Sequence, residues 1–248
     1  MRDEILGIDI GGSGVKGNVV DPSTGELLRE RVKIATPQPS TPEAVADVVA
    51  DIVAHFDVPG AVGCTFPAIV RRGTVHSAAN VDDSWIGVDA EVLFEERVGR
   101  SFRVVNDADA AGVAEMAFGA GKGRRGLVLM LTFGTGIGSG MFYDGVLIPN
   151  SELGHVELEG HSPVEDWAAA NVKKTEGLSW KVWGRRVGSY LRHLDRLFSP
   201  DLFIIGGGVS RKWEKYRQHI DCDVETVPAE MQNEAGIVGA AMTTADAF

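Results

Sequence analysis

Two hydrophobic rhythms alternate along the chain. Short apolar runs over residues 4–11, 15–21 and 27–35 read as the strands of a β-meander. Over 43–56 the period changes: Val45, Val48, Val49, Ile52, Val53 and Phe56 recur every three or four residues, the stripe of an amphipathic helix with Thr41 as cap and Pro42 at its first position. Short strands follow at 61–66 and 69–76, a helix at about 89–99, a strand at 102–106 and a helix at 108–117. The second half repeats the order: strands at 127–133, 137–143 and 146–148, helices near 163–176 and 179–198, a strand at 202–205, a helix at 211–219, a strand at 222–227 and a final helix from about 234. A meander followed by alternating helices and strands, written twice, predicts an α/β protein of two lobes. The expected division is 1–110 and 111–233, with a hinge near 108–120 and with 234–248 returning as a helix to the first lobe.

The candidate chemistry lies in the turns. Asp9-Ile10-Gly11-Gly12-Ser13-Gly14-Val15-Lys16-Gly17 joins the first two strands, and Phe133-Gly134-Thr135-Gly136-Ile137-Gly138-Ser139-Gly140 joins their counterparts. Small residues let backbone N–H groups approach a phosphate, and Ser13 and Thr135 add hydroxyls. Either turn alone reads equally well as an ordinary hairpin. With one residue inserted in the second copy, Gly-Ser/Thr-Gly-Val/Ile recurs, and this repeat favours two phosphate loops facing each other across a cleft.

Asp107 follows an apolar strand and precedes small residues, a strand-to-helix junction open to substrate. It is the candidate base for phosphoryl transfer to an alcohol; the alternative is a helix cap by Asp107 or Asp109. In Glu152-Leu153-Gly154-His155, a carboxylate and an imidazole can grip vicinal hydroxyls. A metal site from His155, His161 and a carboxylate, or a plain acidic surface loop, stays open for this segment. A third glycine turn, Gly206-Gly207-Gly208, lacks the acidic partner of a dinucleotide fingerprint and disfavours a nicotinamide enzyme.

Composition narrows the picture. With 248 residues, 44% of them hydrophobic, the chain can bury a sizeable core as one large domain or two small lobes. No uninterrupted apolar run approaches roughly 18 residues, and the start shows no signal-peptide pattern, so the expectation is a cytoplasmic protein without a membrane partner. Cys64 and Cys222 have no paired spacing for a disulfide or a cysteine zinc site. The net charge of −11 disfavours nucleic acid. Locally the balance reverses: 171–198 holds seven cations against Glu176 and Asp195, either a solvated helix face or a track for a polyanion.

Taken together, these motifs resemble the ROK family (repressors, open reading frames and sugar kinases) of the actin-like ATPase superfamily, over essentially the whole chain. Within it they look most like the branch of glucokinases that use polyphosphate. The segment 9–17 is similar to the family's first phosphate motif, Asn106-Asp107 to its sugar and base motif, 131–140 to its second phosphate motif and 205–210 to its late glycine motif. The resemblance implies a two-lobed actin-like ATPase (ribonuclease H-like) fold with a duplicated β-meander plus helices. It implies an enzyme, expected as a homodimer, that transfers the terminal phosphoryl group of inorganic polyphosphate, or of ATP, to O6 of glucose. Asp107 is then the base, and Thr65, Pro67, Asn80, Asn106, Asp107, Glu152, His155 and Glu165 bind glucose. Asp9, Gly11, Gly12, Ser13, Gly14, Lys16, Thr132, Gly134, Thr135, Gly136 and Gly138 surround the donor phosphates, with Asp9 holding Mg²⁺ through water.

On the helix 179–198, Lys181, Arg185, Arg186 and Arg192 are expected to track the polyphosphate tail while Val182, Val187, Leu191, Leu194 and Leu197 face the core. Two departures qualify the resemblance. The family's cysteine-rich zinc motif is replaced by 156–164, so no structural zinc is expected, and Ser13-Gly14-Val15-Lys16 stands where ATP-using relatives usually carry threonine followed by lysine. The rival readings are an ATP-dependent glucokinase or N-acetylhexosamine kinase, a catalytically silent sugar sensor, and an actin-like ATPase or chaperone.

Overall fold

The computed structural model describes residues 4–78 and 81–245, so Asn80, assigned above to the sugar, lies outside the described residues. The chain divides into two compact units, Met1–Phe118 with Asn233–Phe248, and Gly119–Gln232.

The first unit opens with the antiparallel strands β1 (Ile5–Gly11), β2 (Gly14–Val20) and β3 (Val32–Ile34). The strand expected at 27–35 is shorter because the Asn18 side chain replaces ladder pairing at Arg29, accepting its backbone N–H and donating to its carbonyl. Helix α1 (Pro42–Phe56) starts where Thr41 Oγ1 accepts the N–H of Ala44, and its predicted stripe is buried against the sheet. After it come β4 (Val62–Phe66), the small hairpin β5 (Val70–Arg71) and β6 (Thr74–Val75), α2 (Ala90–Val98), β7 (Phe102–Asn106) and α3 (Asp107–Phe118). The sheet order is β3-β2-β1-β4-β7, with β4 parallel to both of its neighbours. The C-terminal helix Ala235–Met242 packs on this sheet and on α3. Two glycines permit it: a Cβ at Gly63 would collide with the Ala240 carbonyl, and one at Gly239 with the Ala110 carbonyl.

The second unit repeats the arrangement. Strands β8 (Leu127–Phe133), β9 (Ile137–Tyr143) and β10 (Val146–Ile148) form the meander. Helices α4 (Glu165–Ala168), α5 (Ala170–Thr175) and α6 (Trp180–Phe198) and strands β11 (Leu202–Gly206) and β12 (Thr226–Pro228) follow. The order β10-β9-β8-β11-β12 copies the first sheet strand for strand, antiparallel on one side and parallel on the other. This duplicated α/β meander is the actin-like ATPase fold.

Three local expectations change here. The single helix at 163–176 breaks because Ala169 is extended. The helix at 211–219 becomes two 3-10 turns, Ser210–Lys215 and Arg217–His219, which seat the buried ring of Tyr216 among Trp180, Trp183 and Trp213. On α6 the buried stripe is Trp183, Val187, Tyr190, Leu191 and Leu194, whereas Val182 and Leu197, expected in the core, are 43% and 56% exposed. Val182 precedes the stripe by about 100° of helix rotation, and Leu197 falls at the end where the helix leaves the core.

Candidate functional site

In the first unit, β1 and β2 are closed by the pair Gly11 and Gly14, leaving Gly12 and Ser13 exposed at the tip. The Thr36 hydroxyl donates to the Gly11 carbonyl and fixes the base of this turn. Two residues back, Asp9 and Lys16 face each other across the hairpin, with Lys16 Nζ 2.7 Å from Asp9 Oδ2. Thr65 pairs in register with Asp9 from the parallel strand β4; it is fully buried and donates its hydroxyl to Asp9 Oδ1 at 3.0 Å. The carboxylate is therefore held from two sides. Beside it, burial first and the charge of Asp9 second push the Cys64 thiol well above its ordinary value.

The cap of α3 is Asn106. Its Oδ1 accepts the N–H groups of Ala108 (2.8 Å) and Asp109 (3.2 Å), and its Nδ2 donates to the carbonyl of Ala68, next to the half-buried Pro67. Asp107 is thereby relieved of the capping role weighed above. It is exposed at the first position of the helix, with Oδ1 accepting the N–H of Ala108, where the helix end favours negative charge.

In the second unit, the Gly134 N–H donates to the Gly136 carbonyl and closes the β8–β9 turn, with Gly134 and Thr135 exposed and Thr132 paired with Gly138 below. Glu165, heading α4, puts Oε2 2.9 Å from the N–H of Ile137. Its carboxylate occupies the space a side chain at position 136 would take. His155 lies between two carboxylates: Nε2 is 3.7 Å from Glu165 Oε1 and Nδ1 is 3.8 Å from Glu152 Oε2. The three residues expected to grip a sugar are thus brought together and hooked to the second glycine turn. The Glu152 carboxyl is pushed up from its ordinary value by burial, opposed by His155 and reinforced by Glu165.

Ser139 carries a role that its sequence context does not announce. It is buried, donates its hydroxyl to the Ser151 carbonyl at 2.6 Å and accepts the N–H of Leu153, so it pins the 151–155 segment to β9. Its only sequence signal is its place among the glycines of the second turn. The third glycine turn backs the second: Gly207, at φ 80°, lies against the Phe133 carbonyl.

The remaining candidates divide. His161 stacks on Trp167 with ring centroids 5.6 Å apart rather than joining His155. Among the described residues, no three His, Cys, Asp or Glu side chains gather to hold a metal ion. Of the four cations assigned to a track, Arg186 bonds the Trp167 carbonyl and Glu176, and Arg192 bonds Asp221 and Ser189. Lys181 and Arg185 are exposed.

Residues 5–171 match the ROK family. The chain is 48% identical over 240 residues, 96% of its length and 90% of the relative's, to the polyphosphate glucokinase of Mycobacterium tuberculosis (strain H37Rv). The crystal structure of an inorganic polyphosphate/ATP-glucomannokinase from Arthrobacter sp. strain KM superposes with a TM-score of 0.90 at 49% identity, covering 97% of this chain and 98% of that one. A ROK family glucokinase from Streptomyces griseus, solved with glucose and AMPPNP, superposes with a TM-score of 0.81 at 28% identity, covering 98% and 99%.

Proposed function

The chain belongs to the ROK family, and from that premise we propose that it is a phosphotransferase moving the terminal phosphoryl group of inorganic polyphosphate, and also of ATP, to O6 of glucose. The observation that carries the reading is 48–49% identity over nearly the whole length to proteins named polyphosphate glucokinase and inorganic polyphosphate/ATP-glucomannokinase. Asp107, Glu152, His155 and Glu165 supply the side chains the reaction needs.

In the reaction, O6 bonds to the terminal phosphorus as the bond to the bridging oxygen breaks. The electron pair leaves with the shortened polyphosphate or with ADP, and Asp107 takes the hydroxyl proton. Asn106, Glu152, His155 and Glu165 bind and orient the sugar, with Thr65, Pro67 and Asn80 supporting it. The N–H groups of the turns at 11–14 and 134–138 stabilise the charge on the transferring group. Asp9 would hold Mg²⁺ through water, since its two oxygens already accept from Lys16 and Thr65 and this ion keeps several waters beside one or two carboxylates. When bound, Mg²⁺ neutralises charge on the donor phosphates.

The reading includes a cytoplasmic homodimer; among the described residues no helix is long and apolar enough to cross a membrane. Glucose 6-phosphate formation from purified protein, coupled to NADP⁺ reduction and driven by polyphosphate or ATP with added Mg²⁺, tests it. Activity with ATP alone establishes the ATP-dependent alternative, sugar-independent hydrolysis an ATPase, and glucose binding without turnover a sensor.

A further inference from the structure

We propose that Lys173, Lys174, Lys181 and Arg185 form a seat for the tail of a linear polyphosphate, on a strip that begins at the second glycine turn and runs over α5 onto the first half of α6; the proposal rests on polyphosphate being a donor. The strip begins at the turn because the backbone N–H of Asn171, on α5, donates to the Gly134 carbonyl at 3.0 Å. Lys174 lies one helical turn beyond Asn171 and is exposed. Lys173 carries the path onto α6, its ammonium 4.1 Å from the centroid of the Trp180 ring. Next to Trp180 comes Lys181, and Arg185 follows one turn later, roughly 6 Å along the axis.

Two features set these cations apart from an ordinary solvated face. Glu176, the acid nearest in sequence, is engaged by Arg186, and none of Lys174, Lys181 and Arg185 has an ion-pair partner among the described residues. The protein as a whole is acidic, with a net charge of −11, so unneutralised cations at the edge of a phosphate turn make a local field of opposite sign to the average. Arg186 and Arg192 on the same helix are structural instead, since their bonds to Trp167, Glu176 and Asp221 brace α6 against its neighbours. A chain of phosphates longer than the turn can hold would extend along such a row, whereas ATP, with three phosphates, has no tail to place there.

The test compares the wild type with the triple variant Lys174→Ala/Lys181→Ala/Arg185→Ala, and with Lys122→Ala/Arg125→Ala as a control for surface charge. Each is assayed with long-chain polyphosphate, tripolyphosphate and ATP at low and high salt, and equilibrium binding of end-labelled long polyphosphate is measured by anisotropy. The triple variant should raise the KM and Kd for the long chain roughly tenfold and flatten their salt dependence, leaving tripolyphosphate and ATP within about twofold. The control should match the wild type. An unchanged long-chain Kd, or equal losses with all three donors, overturns the strip while leaving the kinase reading intact. Absence of glucose 6-phosphate from any polyphosphate in the wild type overturns the donor reading instead, and the binding measurement still decides whether the strip holds the chain.

Discussion

Replacing Gly136 with alanine should raise the glucose KM through a residue in the second glycine turn. A methyl group there lands on the Glu165 carboxylate, whose Cδ lies 3.0 Å from the added carbon. The backbone around Gly136 is fixed by the bond between the Gly134 N–H and its carbonyl, so the carboxylate is the part that gives way. It then loses the Ile137 N–H, now at 2.9 Å, and moves away from His155 Nε2, now at 3.7 Å. Ile137 is buried, so its N–H is left unsatisfied at a cost of about 1–3 kcal/mol, which is roughly a 5- to 150-fold loss in kcat/KM if felt in the transition state. Steady-state kinetics with glucose varied at saturating donor, and the reverse, should place the loss in the glucose KM for polyphosphate and ATP alike. Gly134→Ala is the contrast: its methyl meets nothing within 4 Å in the protein, so any effect belongs to the donor KM. A Gly136→Ala enzyme with unchanged glucose KM, or two variants with the same kinetic signature, would refute the link through Glu165.

Asp107→Asn should lower kcat by about two to four orders of magnitude while glucose still binds by calorimetry and thermal stability is kept, because Asn106 caps α3; near-normal turnover would remove Asp107 as the base. Glu152→Gln should weaken glucose binding yet raise stability at neutral pH. The folded protein holds the Glu152 carboxyl above its ordinary value, so its favourable contribution is present below the unfolded value and is lost as pH rises through the folded one. Urea denaturation should therefore show a larger gain for Glu152→Gln at pH 7 than at pH 4, and a gain that shrinks with rising pH contradicts the burial argument. Tyr190→Phe should raise stability in urea by about 1 kcal/mol, because this fully buried phenol has no hydrogen-bond partner among the described residues; a loss of stability would reveal one.

What the sequence made legible was local. The helical period of α1 and its Thr41 cap, the strands flanking both turns and the junction at Asp107 follow from neighbours within a few residues. The pairing of Glu152 with His155 was legible in their spacing, but Glu165 joined them only through the family resemblance, since nothing in the spacing brings residue 165 to the N–H of residue 137. Ser139 stayed hidden because its partners lie 12 and 14 residues away. Arg186 and Arg192 share a helix with Lys181 and Arg185, and periodicity cannot separate a bracing arginine from a solvated one. That difference lies in the carbonyls of Trp167 and Asp221, which only tertiary packing supplies.

The duplication explains why two turns of one design carry different chemistry. Gly11 and Gly14 close the first hairpin as Phe133 and Ile137 close the second, so the pair two residues back is Asp9 with Lys16 in one unit and Leu131 with Ser139 in the other. The parallel neighbour of that position is Thr65 in the first sheet and Ile205 in the second. One register position therefore holds a carboxylate braced by a lysine and a threonine. Its copy holds a leucine backed by an isoleucine, so no charge is buried there, and its serine is turned toward the loop that carries Glu152 and His155. With that loop fixed by Ser139 and Glu165 fixed on Ile137, the second turn becomes the support of Glu152, His155 and Glu165, while the first keeps Asp9. The shared strand order supplies the scaffold twice, and the few substitutions beside each turn divide the work between the copies.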